Sequence, residues 1–126
     1  MSVLIDTSVW IDHFRNGNDV LVDLIGLDRA LTHPMVILEI ACETPPAPRI
    51  QTLNYIDLLQ TCNQASLREV MVFIEQEKLY GLGCGLVDMA LLASTLITPG
   101  TELWTLDKRL AELAAHFGVA HRPRLH

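Results

Sequence analysis

The chain lacks any stretch of apolar residues that could cross a membrane. Half of its 126 residues are hydrophobic, but no apolar run approaches the roughly 18 residues that a membrane-spanning helix needs. The N-terminus also lacks the basic region and the small-residue cleavage site of a signal peptide. We therefore expect a protein that stays out of the membrane and buries its apolar excess against another protein.

Cysteine is scarce, and its spacing fits neither a disulfide framework nor a zinc site. Cys42, Cys62 and Cys84 stand alone in apolar surroundings, with no CxxC motif and no histidine at zinc-ligand spacing. Isolated thiols of this kind are typical of the reduced core of a cytoplasmic protein. We therefore expect a cytoplasmic location and three reduced thiols in the core.

Positive charge is also in short supply. Nine lysines and arginines stand against fifteen aspartates and glutamates, which gives a formal net charge of -6 at pH 7. A protein that holds nucleic acid through its overall field carries the opposite sign. The charge therefore argues against such a protein, but it leaves open a nuclease whose acids are neutralised by a metal ion.

Short apolar strands alternate with helical patterns along the chain. Strands are predicted at residues 3–5, 30–33, 102–106 and 119–121. Helices are predicted at residues 7–16, 19–26, 34–42, 49–62, 66–79, 86–96 and 108–117. This order indicates an α/β fold with a short parallel sheet. Because no repeat or linker divides the chain, we expect a single domain over residues 1–126.

Four acidic residues stand where an α/β protein places its chemistry. Asp6, Asp88 and Asp107 are predicted where a strand gives way to a helix, Asp88 after a glycine-rich turn. Glu39 interrupts the apolar pattern of another helix. Carboxyl ends of parallel strands meet at one edge of a sheet, so we expect at least three of these segments to converge there. Clustered carboxylates repel one another and are tolerated mainly around a divalent cation.

Each acid taken alone also has a purely structural interpretation. Asp6 and Asp107 are suited to cap the helices that follow them, since aspartate is among the best N-cap residues. The helix dipole would favour Asp88 in a first turn. Glu39 could belong to the solvated face of an amphipathic helix. The combination favours a functional site, because capping requires no convergence of the four.

Four segments of the chain resemble the motifs of PIN-domain ribonucleases, above all the toxins of VapBC toxin–antitoxin pairs. They are LIDTSVWID at 4–12, LEIA at 38–41, GCGLVD at 83–88 with LLAS at 91–94, and LWTLDKRL at 103–110. The motifs extend over the whole chain in the family's order. The resemblance implies a PIN-like three-layer α/β/α sandwich. One difference is Ala90, where many such toxins carry a histidine.

The resemblance also implies the chemistry of the four acids. In that family the acids corresponding to Asp6, Glu39, Asp88 and Asp107 line a Mg²⁺ or Mn²⁺ site that hydrolyses RNA phosphodiesters. We expect Asp6, Asp88 and Asp107 to be the metal ligands, because Mg²⁺ prefers oxygen ligands. Glu39 would position or deprotonate the attacking water, whose pKa the metal lowers.

Three hydroxyl residues stand beside the acids. Thr7, Ser8 and Thr105 could hydrogen-bond the carboxylates that hold the metal. Capping of the backbone is an equal alternative for each of them, since serine and threonine commonly bond nearby backbone groups. Both interpretations place these hydroxyls next to the acids, and only the first gives them a part in the chemistry.

Several basic residues are candidates for contacts with RNA phosphates. They are Arg15, Lys108 and Arg109, with Arg122 and Arg124 of the C-terminal tail as an extension of the same surface. The alternative for most of them is ordinary solvated charge on a helix surface. Neither composition nor spacing decides between the two interpretations.

The resemblance implies two protein partners besides the RNA substrate. These are a small antitoxin and a second copy of the chain, with the helices at 49–62 and 66–79 forming the groove for the antitoxin. Two other functions stay open, namely an RNA-processing PIN nuclease without an antitoxin and a non-catalytic PIN-like binding module. A haloacid-dehalogenase-type phosphatase is disfavoured, because it needs a second aspartate where Ser8 stands. A response-regulator receiver is disfavoured too, because its paired acids and late lysine are missing.

Overall fold

The structure is a computed structural model that describes residues 1–123, so Arg124 lies outside the described residues. Within that range it contains four strands and seven helices. None of these helices is both long and apolar enough to span a membrane. The elements in chain order are β1 (Ser2–Ile5), α1 (Thr7–Asn16), α2 (Asp19–Gly26), β2 (Ala30–Thr32), α3 (Pro34–Ala41), α4 (Arg49–Asp57), β3 (Gln60–Thr61), α5 (Leu67–Glu77), α6 (Leu86–Leu96), β4 (Thr101–Trp104) and α7 (Lys108–His116).

The four strands form a parallel sheet in the order β3-β2-β1-β4. β1 is a central strand, in which Leu4 pairs with Leu31 of β2 and with Leu103 of β4. Val3, Leu4 and Ile5 are fully buried, as expected for a parallel strand that helices cover on both faces. The predicted α/β fold with a short parallel sheet is confirmed.

The direction in which successive strands are added to the sheet reverses between β1 and β4. The chain moves outward from β1 to β2 to β3, and the next crossover returns past all three strands to β4. Because crossovers between parallel strands are right-handed, α1 to α4 cover one face of the sheet, and α5 and α6 cover the other. This arrangement gives the three layers, and it opens a crevice at the carboxyl ends of β1 and β4.

The helix predicted at residues 49–62 is shorter than expected. α4 ends at Asp57, and Gln60–Thr61 form the edge strand β3 beside Leu31 and Thr32. Both residues of this strand are exposed, so backbone pairing holds it rather than burial of its side chains. An apolar pattern cannot reveal such a strand, because strand preference reflects side-chain packing that this strand does not make.

Two other strand predictions need correction. β4 ends at Trp104 rather than at residue 106, because the backbone turns there into the cap of α7. The strand predicted at 119–121 is reduced to one parallel bridge, between Ala120 and Leu103. The remaining helices match the predicted ones to within two residues at their ends, which is the usual uncertainty of a helix boundary.

The three free thiols differ in burial. Cys62 is buried, Cys84 is half-buried and Cys42 is exposed, so the prediction of a core position is wrong for Cys42. Cys42 directly follows the last residue of α3, where the helix ends at the surface. Burial raises the pKa of the Cys62 thiol to about 11, which keeps this thiol protonated and unreactive at neutral pH.

A buried histidine joins the two helical layers. His33 is the N-cap of α3, and its Nδ1 accepts a hydrogen bond from the Met35 backbone amide at 3.0 Å. The ring proton therefore lies on Nε2, which donates to Ser94 Oγ of α6 at 3.3 Å. Ser94 Oγ also accepts the Ala65 amide at 3.1 Å. Burial lowers the pKa of His33, so the neutral ring that this network needs is the stable form.

Replacement of His33 should loosen the connection between α3 and α6. We expect His33→Ala to lower the free energy of unfolding by about 2 to 3 kcal/mol, from a lost cap and an unsatisfied buried Ser94. His33→Asn supplies a side-chain oxygen that can cap α3 in place of Nδ1, and it should lose roughly half as much. Urea unfolding of both variants checks this, and an unchanged midpoint for His33→Ala would contradict the role of the network.

Candidate active site

Asp6 directly follows β1 and is only 6% exposed. Its Oδ2 accepts hydrogen bonds from the Ser8 hydroxyl at 2.6 Å and from the Thr105 hydroxyl at 2.7 Å. The Ser8 backbone amide also donates to Oδ2, at 3.4 Å, so Asp6 caps α1 as well. Hydrogen bonds of this kind are what make a buried carboxylate tolerable. Their concentration on one oxygen fixes the orientation of the carboxylate.

The same two hydroxyls fasten the loop after β4. The Leu106 amide donates to Ser8 Oγ at 2.9 Å, and the Asp107 amide donates to Thr105 Oγ1 at 3.0 Å. The Asp6 amide in turn donates to the Trp104 carbonyl at 2.9 Å. The two acids that follow neighbouring strands are therefore held in a fixed relation by short hydrogen bonds.

Asp107 and Asp88 each occupy the start of a helix. Asp107 is the N-cap of α7, where its Oδ1 accepts the Leu110 amide at 3.0 Å. Asp88 lies in the first turn of α6, where its Oδ2 accepts the Gly85 amide at 3.3 Å. The prediction that a strand precedes Asp88 is wrong, because a turn alone separates α6 from α5. A helix rather than a strand therefore carries this acid to the crevice.

Glu39 comes from α3, on the opposite face of the sheet from α6. Its Oε1 accepts a hydrogen bond from the Thr7 hydroxyl at 2.7 Å. Thr7 is the first residue of α1, next to Asp6 in the chain. This hydrogen bond brings Glu39 to the same end of β1 as the other acids, and it contradicts the interpretation of Glu39 as part of a solvated stripe.

The four acids share one feature of their hydrogen bonding. Each has one carboxylate oxygen that accepts a hydrogen bond from the protein, and a second oxygen that accepts none from the described residues 1–123. The bonded oxygens are Asp6 Oδ2, Glu39 Oε1, Asp88 Oδ2 and Asp107 Oδ1. The protein thus orients every carboxylate and leaves half of its acceptor capacity unused.

The charges of the acids act on one another. Burial raises the pKa of Asp88, and the charges of Asp6 and Asp107 raise it further against the Gly85 hydrogen bond. Burial also raises the pKa of Glu39, opposed by the Thr7 hydrogen bond and reinforced by the charges of Asp6, Asp88 and Glu43. Like charges lower the stability of one another's ionised forms only over short range. The acids therefore form one electrostatic cluster, which we call the acid cluster.

The acid cluster is looser than a metal-bound site. In the described part of the chain, no three side chains of histidine, cysteine, aspartate or glutamate converge closely enough to hold a metal ion as they stand. The hydroxyls of Thr7, Ser8 and Thr105 do hydrogen-bond acids of the cluster. Their part in supporting a metal ion stays a prediction, as do the metal-ligating roles of the acids.

The predicted phosphate-binding residues lie at different distances from the acid cluster. Lys108 and Arg109 are exposed in the first turn of α7, directly after Asp107. Arg15 is exposed in the last turn of α1, about 12 Å along the helix axis from its first residue. Arg122 lines a cavity with Met1 and Arg29, at the amino ends of the strands. Contacts of these residues with RNA stay predictions.

Sequence reasoning gave no role to Cys84. Burial raises the pKa of its thiol, and the charges of Asp88 and Asp107 raise it further, while Arg109 opposes them. The charges of two acids and one base of the site therefore act on Cys84. The signal that could have found it is its place in the turn Gly83-Cys84-Gly85, four residues before Asp88.

A parallel α/β sheet with four oriented carboxylates at the point where its strand order reverses defines a PIN-like nuclease. The chain is 40% identical over 121 residues to Ribonuclease VapC32 of Mycobacterium tuberculosis strain CDC 1551 / Oshkosh, and equally so to Ribonuclease VapC32 of strain ATCC 25618 / H37Rv. Each alignment covers 94% of this chain and 94% of the relative. No family model matches the chain. The chain belongs to the VapC ribonucleases, and the resemblance of its motifs to that family is confirmed.

The raised pKa values of Asp88 and Glu39 predict a pH dependence of stability. In the metal-free protein these groups bind protons more tightly when folded than when unfolded, so their contribution to stability is fully present below the ordinary carboxylate pKa of about 4 and is lost as pH rises through the raised values. The free energy of unfolding should then fall as pH rises through the raised values. Urea unfolding in EDTA over a pH series should show this fall, with a smaller slope for Asp88→Asn than for the parent.

The matched control for that measurement is Asp28→Asn. Asp28 is exposed and has a φ of 56°, a left-handed conformation that aspartate and asparagine both tolerate. This variant should keep the slope of the parent. An Asp88→Asn variant with the parent's slope would show that burial and the neighbouring charges do not raise the pKa of Asp88 in the folded protein.

Proposed function

We propose that this chain is an endoribonuclease toxin that hydrolyses phosphodiesters of cellular RNA with Mg²⁺ or Mn²⁺ as cofactor. The observation that carries the proposal is the acid cluster, in which each of four carboxylates is oriented through one oxygen and keeps the other free. Its 40% identity to proteins named as ribonucleases supports the same conclusion. The reaction is proposed to take place in the cytoplasm, with RNA as the substrate.

The donor set suits a hard divalent cation. Such ions prefer carboxylate oxygens and keep several waters, and a cation would relieve the repulsion that adds to the effect of burial in raising the pKa of Asp88. Asp6, Asp88 and Asp107 would hold the ion through their free oxygens. When bound, the ion supplies a water of lowered pKa and neutralises charge on the phosphate.

Glu39 is the residue best suited to handle the proton of the attacking water. Its pKa is raised by burial, and a general base works best when its pKa approaches the working pH. The Thr7 hydroxyl holds Oε1 at 2.7 Å, which leaves Oε2 to accept the proton. Asp6, buried and fixed by two hydroxyls, sets the orientation around which the other acids are arranged.

Asp6→Asn should abolish cleavage of RNA that depends on a divalent ion. We expect a loss of more than about 100-fold, because even residues that only support a metal ligand contribute 10- to 100-fold. Without metal the variant should be as stable as the parent or more stable, since one of the crowded charges is gone. Fluorescent single-stranded RNA, with Mg²⁺ or Mn²⁺ against EDTA, gives the measurement.

Thermal unfolding with and without Mn²⁺ separates loss of metal from loss of fold. The parent should be stabilised by the ion, because a ligand that binds only the folded state raises its stability, and Asp6→Asn should not. Asp28→Asn is again the control and should behave as the parent in both assays. Undiminished cleavage by Asp6→Asn, or by the parent in EDTA, would refute the metal site.

The proposed partners are a small antitoxin and a second copy of this chain. α4 exposes Ile50 and Tyr55, with Leu58 exposed directly after it, and α5 exposes Leu67 and Met71. Because α4 and α5 belong to opposite faces of the sheet, these residues form two apolar surfaces on either side of the edge strand β3, and the groove for the antitoxin stays a prediction. Exposed apolar patches of this kind mark interaction sites, and two of them suit one surface for the antitoxin and one for the second copy.

Expression with and without the product of a small neighbouring gene tests the partners. Alone, the chain should be poorly soluble or toxic, because its apolar surfaces are uncovered and its acid cluster is accessible. Co-expression should give a soluble complex with two copies of the chain and no RNA cleavage, measured by light scattering and the RNA assay. A well-behaved, non-toxic monomer that binds no partner would favour an RNA-processing nuclease.

A further inference from the structure

The Arg109 side chain lies flat against the glycine-rich turn that leads into α6. A Cβ atom placed on Gly83 would overlap Arg109 Nη1 and would lie 2.9 Å from Cζ and 3.1 Å from Cδ. Side chains essentially never approach a Cβ so closely, so the arginine occupies space that only a glycine leaves free. The missing side chain at Gly83 therefore leaves the space in which the guanidinium of Arg109 lies.

The position of Arg109 in its helix has no structural explanation. It is the second residue of α7, where the helix dipole favours negative charge and disfavours a cation. It is exposed, and in the described range 1–123 only Arg29 and Arg49 donate arginine side-chain hydrogen bonds. A residue that violates a local rule without a structural compensation indicates a function.

The guanidinium lies against the turn that precedes Asp88 and forms no ion pair within residues 1–123. Arg109 follows Asp107 by two residues, and its charge acts on Cys84, the thiol that also feels Asp88 and Asp107. The one ion pair within residues 1–123 is instead that of His121 with Glu102. The guanidinium thus contacts the same turn that is hydrogen-bonded to Asp88 through Gly85, while within residues 1–123 its donors stay free.

We propose that Gly83 positions Arg109 to bind a phosphate group of the RNA beside the acid cluster. This inference rests on the proposed function and names a contact that brings the substrate to it. A chain of net charge -6 repels RNA as a whole, so a local cation has to hold the phosphate near the carboxylates. The planar guanidinium matches a phosphate with two parallel hydrogen bonds, and its contact with the turn at Gly83 restricts the side chain before binding, which lowers the entropy lost on binding.

Two neighbouring glycines allow a matched test. Gly81 and Gly83 have φ values of +74° and +85°, so alanine is strained at both positions to a similar extent. An added Cβ meets nothing within 4 Å at Gly81, whereas at Gly83 it meets Arg109. Since the atoms it meets belong to a flexible side chain, Gly83→Ala should displace the arginine and leave the fold intact. Both variants should therefore lose the same few degrees of Tm.

RNA cleavage should separate the two variants. We expect Gly83→Ala and Arg109→Ala each to raise KM for single-stranded RNA by about tenfold with kcat nearly unchanged, because the lost contact is made equally before and during the reaction. Gly81→Ala should keep the KM of the parent. The double variant Gly83→Ala/Arg109→Ala should be no worse than Arg109→Ala alone, since both changes remove the same contact.

Salt dependence of RNA binding tests the phosphate contact directly. In an Asp6→Asn background, the slope of log K against log salt for a single-stranded oligoribonucleotide should fall by about 0.7 for Arg109→Ala and for Gly83→Ala. Gly81→Ala in the same background should keep the full slope. A Gly83→Ala variant that retains the full slope, or weakens binding further when Arg109 is already alanine, would overturn the proposal.

The failure of this inference differs from a failure of the proposed function. A parent that does not cleave RNA with Mg²⁺ or Mn²⁺ refutes the function, while the salt slopes still decide whether Arg109 contacts phosphate. A parent that cleaves RNA, with Gly83→Ala and Arg109→Ala both at its KM, refutes the positioning of Arg109 and leaves the function standing.

Discussion

Two hydroxyl groups on one carboxylate oxygen hold the site together. Ser8 and Thr105 donate to Asp6 Oδ2 and accept the backbone amides of the loop after β4. A buried, ionised carboxylate would be very unfavourable without such donors. The same bonds that make Asp6 tolerable also fix the ends of two neighbouring strands, and every other acid takes its place relative to them.

Topology explains why acids distant in sequence meet at this point. The crossover after β1 leads toward β2 on one side of it, whereas β4 lies on its other side. The loops that follow β1 and β4 therefore lead to opposite faces of the sheet and leave a crevice between them. α3 supplies Glu39 from one layer, and α6 supplies Asp88 from the other. The buried contact of His33 with Ser94 joins the start of α3 to α6, so a hydrogen bond in the core connects the two helices that carry these acids.

Local signals in the sequence account for most of the elements. The buried run at 3–5 predicts a central strand, Pro34 predicts the start of α3, and Ser66 with Glu69 has the spacing of a capping box, which the structure contains. Each of these signals acts within a few residues, where propensity and capping are decided. Such features can be read from a single sequence.

Features that depend on contacts distant in sequence could not be predicted in the same way. β3 is made by backbone pairing with β2 and leaves no side-chain pattern. Motif order suggested that the four acids belong together, but neither the oxygen that each one keeps free nor the space at Gly83 has a local signature. Side-chain geometry of this kind follows from the packing of whole layers, and the residue pattern of one sequence does not predict it.

The two edges of the sheet, at β3 and β4, limit how this protein can associate with other proteins. β3 offers only the two exposed residues Gln60–Thr61 along its outer side, and beyond β4 the backbone of Leu103 is already bonded to Val119 and His121. A strand from another chain would have almost no free backbone N–H and C=O groups to pair with at either edge, so aggregation by strand addition is disfavoured. Recognition by other chains is left to the helical layers, and these can change their surface residues without disturbing the sheet that carries the acids.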